Sequence, residues 1–469
     1  SRKVVVAADD ALMGSDAARA VAARGLACDS RPLAELIDTS TAPSGVIACA
    51  PLEPLGPAAA AQLAPLCSRA ARGRGALVLL AAWGRAPGRQ AIERAAALAC
   101  LRAAGAVVCD DPDVWLETVM LLAAHGLPGG PRVAVVAPPG SWLAASAAAM
   151  AGESAGARPP PVARDAGKLG PTDIALVDRT ALADDTDRVG GTLIVPVVGR
   201  AELVGDDRRV PLVGLRAALG AAVAAGRLSE RLAGGLGPAP AEEADALGPD
   251  EARFARQLAR LSGRAGDHET KVLLSAWGVR VVRQAVAGTA SAANRIAKKA
   301  GYPVEIKPWS STAPSEAEGC PVERDLHTAA DVRRAFAAVA RAADLPAGAP
   351  VIVRETPPPG RELRVRILRV GELGWTVIAD AGGAAAPLAA PAPLRPVDAH
   401  ELIRLVEATR ADDPEPDREA AADLLVRASH LVVRHQQALV ELELGRVLVC
   451  RKGEGALVVD ARAILADKT

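Results

Sequence analysis

Aromatic side chains are nearly absent from this chain: one Tyr, two Phe and six Trp make up 2% of its 469 residues. Its core must therefore be filled by Ala, Val and Leu, small residues that suit close packing of helices on sheets. A genome biased toward Ala, Gly, Pro and Arg codons produces the same composition. Net charge is absent too, with 55 Lys plus Arg against 55 Asp plus Glu. No global field draws in nucleic acid or an anionic membrane. Seven cysteines (Cys28, Cys49, Cys67, Cys100, Cys109, Cys320, Cys450) make no CxxC pair and no metal-ligand spacing. That scatter argues against a disulfide framework and a thiolate metal cage, and reads as reduced thiols in a cytoplasmic setting. Apolar stretches such as Ala144 to Ala151 are too short to span a bilayer. The opening SRKVVVAADD enters a strand-like run without a signal-peptide pattern. The expectation is a soluble, cytoplasmic chain with no nucleic-acid partner and no membrane insertion.

What the chain does have is alternation. Val4 to Ala7, Val46 to Cys49, Ala76 to Ala81 and the pair Val107-Val108 are short apolar runs, each followed by an Ala-rich helical stretch. Buried parallel strands read this way, with crossover helices as the covering layers. The pattern restarts at Arg132 to Val136 and continues through Ile174 to Val177 and Thr192 to Pro196. The length bounds the chain at about three or four domains. We read two doubly wound α/β modules at 1–128 and 129–225, then a Gly/Pro/Ala-rich linker over 226–265 around Gly234 to Pro240. A region of α+β character fills 266–469. It ends in a helix (Ala420 to Gln437) and three strands (Ala438 to Leu444, Val447 to Cys450, Ala456 to Asp460).

That last region carries the most specific signal. His268-Glu269-Thr270-Lys271-Val272-Leu273-Leu274 is followed by Trp277-Gly278-Val279-Arg280-Val281, and then by Ala300-Gly301-Tyr302-Pro303-Val304-Glu305-Ile306-Lys307. Further on come Val351-Ile352-Val353-Arg354-Glu355, Pro359-Gly360-Arg361-Glu362-Leu363 and the closing Val458-Val459-Asp460-Ala461-Arg462. In this order, over about 200 residues, the series resembles the ATP-grasp lobe of NDP-forming acyl-CoA synthetases, with its "YGIPV", "GYPVVLK" and "ALDAR" segments. The modules ahead of it follow the family's order as well, through Val4 to Gly14, Gly84-Arg85, Leu101 to Val107, Asp110-Asp111 and Pro131 to Val136. The fold class implied is α/β: two flavodoxin-like modules followed by an α+β ATP-grasp domain. The family's separate CoA-binding domain finds no counterpart among these segments.

The resemblance implies ATP or ADP with Mg²⁺, and CoA, as cofactors, and a phosphoryl group relayed through a histidine. Lys271 and Lys307 match the residues that contact nucleotide phosphates, and Glu355 and Glu362 those toward the adenosine end. The same four also suit surface ion pairs or inherited scaffold. Other positions depart from the family. Arg94 stands where the phosphoryl-carrying histidine belongs, and a guanidinium that stays protonated cannot be that nucleophile. The Ser-Gln-Ser-Gly turn becomes Ala8-Asp9-Asp10-Ala11, acids at a helix start that cap it and repel phosphate. The swinging loop, Ser310 to Val322, puts Ser315-Glu316 at a His-Lys pair while Glu318 keeps an acid. In the metal segment "ELDINPL", here Glu441 to Val447, Glu443 keeps one carboxylate. Gly445 offers no ligand there, and Arg446 adds a cation. The run Ala384 to Pro393 supplies no acid. His327 and His400 read as exposed or capping, and His430 and His435 as carrying no site. The favoured expectation is a degenerate synthetase paralogue that binds a protein partner or a second copy of itself. An active acid–thiol ligase with a rerouted phosphoryl path, and a nucleotide- or CoA-binding sensor, are the alternatives.

Overall fold

Four- and five-residue apolar runs become buried parallel strands in the first half of the chain. The computed structural model describes residues 3–8, 11–38, 45–51, 53–73, 75–84, 86–153, 162–163, 172–178, 188–189, 191–199, 210–310, 316–346, 348–380, 387–407 and 415–466. It divides into two compact units, Ser1–Gly237 and Pro238–Thr469.

In the first unit, strands β1 (Val4–Ala8), β2 (Cys28–Pro32), β3 (Val46–Cys49), β4 (Ala76–Leu80) and β5 (Ala106–Cys109) form a parallel sheet of order β2-β1-β3-β4-β5. Helices α1 (Ala11–Ala23), α2 (Leu33–Asp38), α3 (Pro57–Arg72), α4 (Gly88–Ala103) and α5 (Pro112–Ala124) connect and cover it. A second sheet follows from β6 (Val133–Val136), β7 (Val162–Ala163), β8 (Ile174–Asp178), β9 (Arg188–Val189), β10 (Thr192–Val198) and β11 (Leu212–Val213). Its order is β11-β10-β8-β6-β7, with β9 antiparallel on β10. Counted from its own first strand, the parallel part repeats the order of the first sheet, the flavodoxin-like winding. Helices α6 (Trp142–Glu153) and α7 (Leu215–Gly234) belong to this half. One apolar core runs through both sheets, including Val119 and Leu122 of α5 and Ala221 and Ala225 of α7. A buried ion pair also ties the two together. Arg24 donates to Glu117 at 2.7 Å and to the Pro211 carbonyl at 2.7 Å, and Glu117 accepts from the Val213 amide at 2.9 Å.

The second unit begins with α8 (Glu243–Ala246), α9 (Glu251–Leu258), β12 (Arg264–Ala265) and α10 (Asp267–Ala276). Strand β13 (Gln284–Ala287), α11 (Ala290–Ala300), β14 (Val304–Pro308), β15 (Glu323–Leu326), α12 (Ala329–Ala342) and β16 (Val351–Glu355) make a four-stranded antiparallel sheet, β13-β16-β14-β15, backed by the two longer helices. Strands β17 (Arg361–Arg369), β18 (Trp375–Asp380) and β19 (Leu388–Pro391) come next. They are followed by α13 (Pro396–Glu407), α14 (Arg418–Arg434), β20 (Leu439–Val449) and β21 (Ala456–Leu465). These complete a six-stranded antiparallel sheet, β12-β21-β20-β17-β18-β19. The apolar side of α14, including Leu424, Leu425 and Leu431, packs on it.

Two strands expected around Gly445 are one long strand, β20, whose pairing with β21 slips between Glu443 and Arg446. The glycine marks a bulge, not a break. The segment 226–265 holds the end of α7 together with α8 and α9. Among the described residues no helix is long and apolar enough to cross a membrane.

Candidate functional site

Strand β14 reads Val304-Glu305-Ile306-Lys307-Pro308, and the two-residue period sends Val304 and Ile306 to the core under α11 and α12. Glu305 and Lys307 share the other face. Its neighbour β16 is antiparallel and in a register that sets Arg354 directly opposite Glu305. All three charged side chains are buried, Arg354 completely. Charges removed from water are tolerable only when paired and hydrogen-bonded, and this face supplies the partners.

Arg354 donates to Glu305 through Nε at 2.8 Å, to the Val459 carbonyl at 3.0 Å, and to Glu316. The Lys307 ammonium sits 2.7 Å from Asp460 of β21, 3.1 Å from Asp267 of α10 and 3.3 Å from Glu316. Glu316 opens a short 3₁₀ turn, Glu316–Glu318, and its own amide donates to Asp460 at 3.1 Å. Lys271, one turn into α10, pairs with Asp267 at 2.9 Å and donates to Gln284 at 2.8 Å and to the Val459 carbonyl. Asp267 also accepts from the Ala461 amide at 3.0 Å. Three buried cations (Lys271, Lys307, Arg354) thus meet four buried carboxylates (Asp267, Glu305, Glu316, Asp460). Arg324, half exposed, closes the balance at 3.2 Å from Glu316.

The electrostatics follow from this packing. Burial pushes the Glu316 carboxyl up, but the hydrogen bond and charge of Arg354, helped by Lys307, outweigh it and hold the group at about 2. Asp267 is likewise held below the carboxylate range, because Lys271 and Lys307 overcome its burial. Burial acts on Lys307 in the opposite direction, yet Asp267, Asp460 and Glu316 keep its ammonium above the ordinary value. Lys271 is the strained member. Burial, with Lys307 and Arg354 as like charges nearby, brings it down to about 7 against the pull of Asp267.

The family model for the ATP-grasp domain matches residues 257–465, the stretch that holds this face. The chain is 28% identical over 215 residues to the beta subunit of the ADP-forming acetate–CoA ligase II of Pyrococcus furiosus, covering 42% of this chain and 90% of that subunit. It is 25% identical over 211 residues to the ADP-forming acetate–CoA ligase II of Archaeoglobus fulgidus, covering 43% of this chain and 30% of that protein. Residues 257–465 are an ATP-grasp domain, homologous to NDP-forming acetate–CoA ligases. Among solved structures, the dinucleotide-forming acetyl-coenzyme A synthetase 1 of Ca. Korarchaeum cryptofilum, in complex with coenzyme A, Ca-AMPCP and HgCl+, is 28% identical. It aligns with a TM-score of 0.40 over 45% of this chain and 98% of that one.

Within the ATP-grasp domain, the structure brings Lys271 and Lys307 together, as members of one ion network. Glu355 lies at the end of β16, accepting from Arg283 at 2.7 Å. Glu362 accepts from Arg446 at 2.7 Å, and Arg446 stands 3.6 Å from Glu316. Glu443 accepts from Arg462 at 2.8 Å, and Arg462 reaches Glu318 at 2.9 Å. All five residues are matched by protein counter-charges. Lysines and carboxylates are the right chemistry for Mg-nucleotide, and in this arrangement each of them lies against a protein counter-charge. A polyphosphate on Lys307 would compete with Glu316 and Asp460, and a cation beside Glu443 would compete with Arg462. Gly445 has a role of its own here, since a Cβ at this position would come within 2.8 Å of the Asp460 carboxylate. The glycine leaves room for the acid that holds Lys307.

Arg94, in the first unit, lies on α4, donates to the Gly84 carbonyl and stacks 4.8 Å over the Trp83 ring. Asp9, Asp10 and residues 311–315 lie outside the described residues. His400 bonds to Glu419 at 2.8 Å, while His435 stacks on Phe254 at 4.0 Å. Asp267, Glu305, Glu316, Arg354 and Asp460 were not singled out as a site by sequence reasoning. The available signal was an acid and a base inside two apolar runs, Val304 to Ile306 and Val351 to Val353 extended by Arg354. Such charges are rare on buried strands unless they pair.

Proposed function

We propose that this chain is a non-catalytic relative of the NDP-forming acyl-CoA synthetases, a structural subunit that binds a protein partner or a second copy of itself. The observation that carries the reading is the state of Lys307. Its ammonium is buried among three of the chain's own carboxylates, at 2.7, 3.1 and 3.3 Å, where the resemblance calls for nucleotide phosphates. Electrostatic catalysis of phosphoryl transfer needs cations whose charge is available to the phosphate. Here that charge is already balanced. Arg94 in place of a phosphoryl-carrying histidine supports the same conclusion, as does the pairing of Glu443 with Arg462. The partner-binding part draws on the Pyrococcus relative, which is named as a subunit.

The ligands to test are those the resemblance implies: ATP or ADP with Mg²⁺, and CoA. The purified chain is incubated with acetate, CoA and Mg-ATP, and acetyl-CoA and ADP are measured, with thermal shifts recorded for each ligand. No product, together with a defined stoichiometric complex in mass measurement of the native assembly, is the expected result. Turnover that depends on Lys307 would refute the reading and favour an active ligase. A nucleotide-induced stabilisation lost in Lys307→Ala, without product, would favour a sensor.

A further inference from the structure

We propose that the Glu316–Glu318 turn is an intrachain stand-in for phosphate, seated in the anion position of the ATP-grasp domain and competing there with polyphosphates. The inference rests on the reading that the chain's own charges fill this site. It adds which group does so reversibly.

Of the carboxylates around Lys307, Asp460 belongs to β21 and Asp267 to α10, both fixed by regular structure. Glu316 comes from a three-residue turn between β14 and β15. Yet it is the group most surrounded by positive charge. Its carboxylate meets Lys307 at 3.3 Å, Arg354, Arg324 at 3.2 Å and Arg446 at 3.6 Å. One ammonium and three guanidinium groups converging on two oxygens is the donor set that binds a phosphate, not what one carboxylate needs. The side chain is 5% exposed, so it fills the position rather than skirting it. Arg324 is 47% exposed and Arg446 24%, so the cluster has a solvent-facing side through which an anion can arrive. The turn is also held by the Glu316 amide on Asp460, at 3.1 Å, and by Glu318 on Arg462, at 2.9 Å.

The probe is inorganic tripolyphosphate, titrated by calorimetry into the full chain and into Glu316→Gln, with Glu318→Gln as the control on the same turn. Neutralising Glu316 keeps the shape and releases the cations. Glu316→Gln is expected to bind tripolyphosphate roughly tenfold tighter or better than the parent. Glu318→Gln, which loosens the turn at Arg462 but leaves Glu316 charged, is expected to bind less tightly than Glu316→Gln. A second measurement needs no variant. Tripolyphosphate at millimolar concentration should speed amide exchange at Glu316–Glu318 in the parent chain while β14 stays protected.

Equal affinity in parent and Glu316→Gln, binding in neither, or anion binding that leaves exchange in the turn unchanged would each overturn the proposal. These failures leave the non-catalytic reading standing. Acetyl-CoA formation by the parent chain would remove that reading whatever Glu316→Gln binds, so the two can fail separately.

Discussion

Replacing Lys307 with Met separates an ion network that holds the fold from one that waits for a ligand. The substitution keeps the aliphatic stem and deletes the ammonium that touches Asp460, Asp267 and Glu316. Four buried carboxylates would then face two buried cations, Lys271 and Arg354. Removing one partner from a buried pair costs about 3–5 kcal/mol, because the charge left behind keeps its desolvation penalty. For a unit of this size that corresponds to a fall in melting temperature of roughly 6–20 °C. Because the chain has two compact units, a single melting point would mix them. Hydrogen exchange read on peptides from β14 and β21, alongside calorimetry, reports the second unit alone. Adding Asp460→Asn to Lys307→Met should recover part of the loss, since it removes one of the orphaned charges. If Lys307→Met stayed within about 0.5 kcal/mol of the parent, the network would not be structural and the reasoning behind the proposed function would fail.

Lys271 behaves differently because burial already holds it at about 7, against an ordinary 10.5. Between those values the unfolded chain binds more protons than the folded one, so this group makes stability rise with pH from about 7 toward 10.5. Urea midpoints across that range should climb in the parent and climb less in Lys271→Met; identical slopes would contradict the assignment. Gly445→Asn, which restores the family's residue type, should destabilise the second unit by about 1–3 kcal/mol through overpacking against Asp460. An unchanged urea midpoint would show that the bulge has room to spare. In the first unit, Glu117→Ala should cost about 3–5 kcal/mol by stranding Arg24, read as lost exchange protection in α5. A smaller effect than for an exposed pair such as Arg89–Glu93 would refute it.

The doubly wound sheets were legible because fully buried parallel strands leave a plain trace. Val4 to Ala7 and Val46 to Cys49 are apolar on both faces, and the elements expected there are β1 and β3. Gly445 misled because a glycine inside a strand pattern signals a bulge as readily as an end. At the site, residue types at Lys271 and Lys307 could be read from the resemblance, but their state could not. Neutralisation depends on Asp460, 153 positions from Lys307, and on a register that sets Glu305 against Arg354. Neither relation has a local periodicity.

The bulge at Gly445 and the acid behind it also connect distant parts of the second unit in series. A side chain at 445 meets Asp460, Asp460 holds Lys307, and Lys307 in turn holds Asp267 and Glu316. Any single substitution along this series leaves a buried charge short of a partner, so substitutions within it are strongly non-additive. The consequence is that the bulge, the strand end and the helix start titrate and mutate as one body, although they lie far apart in sequence.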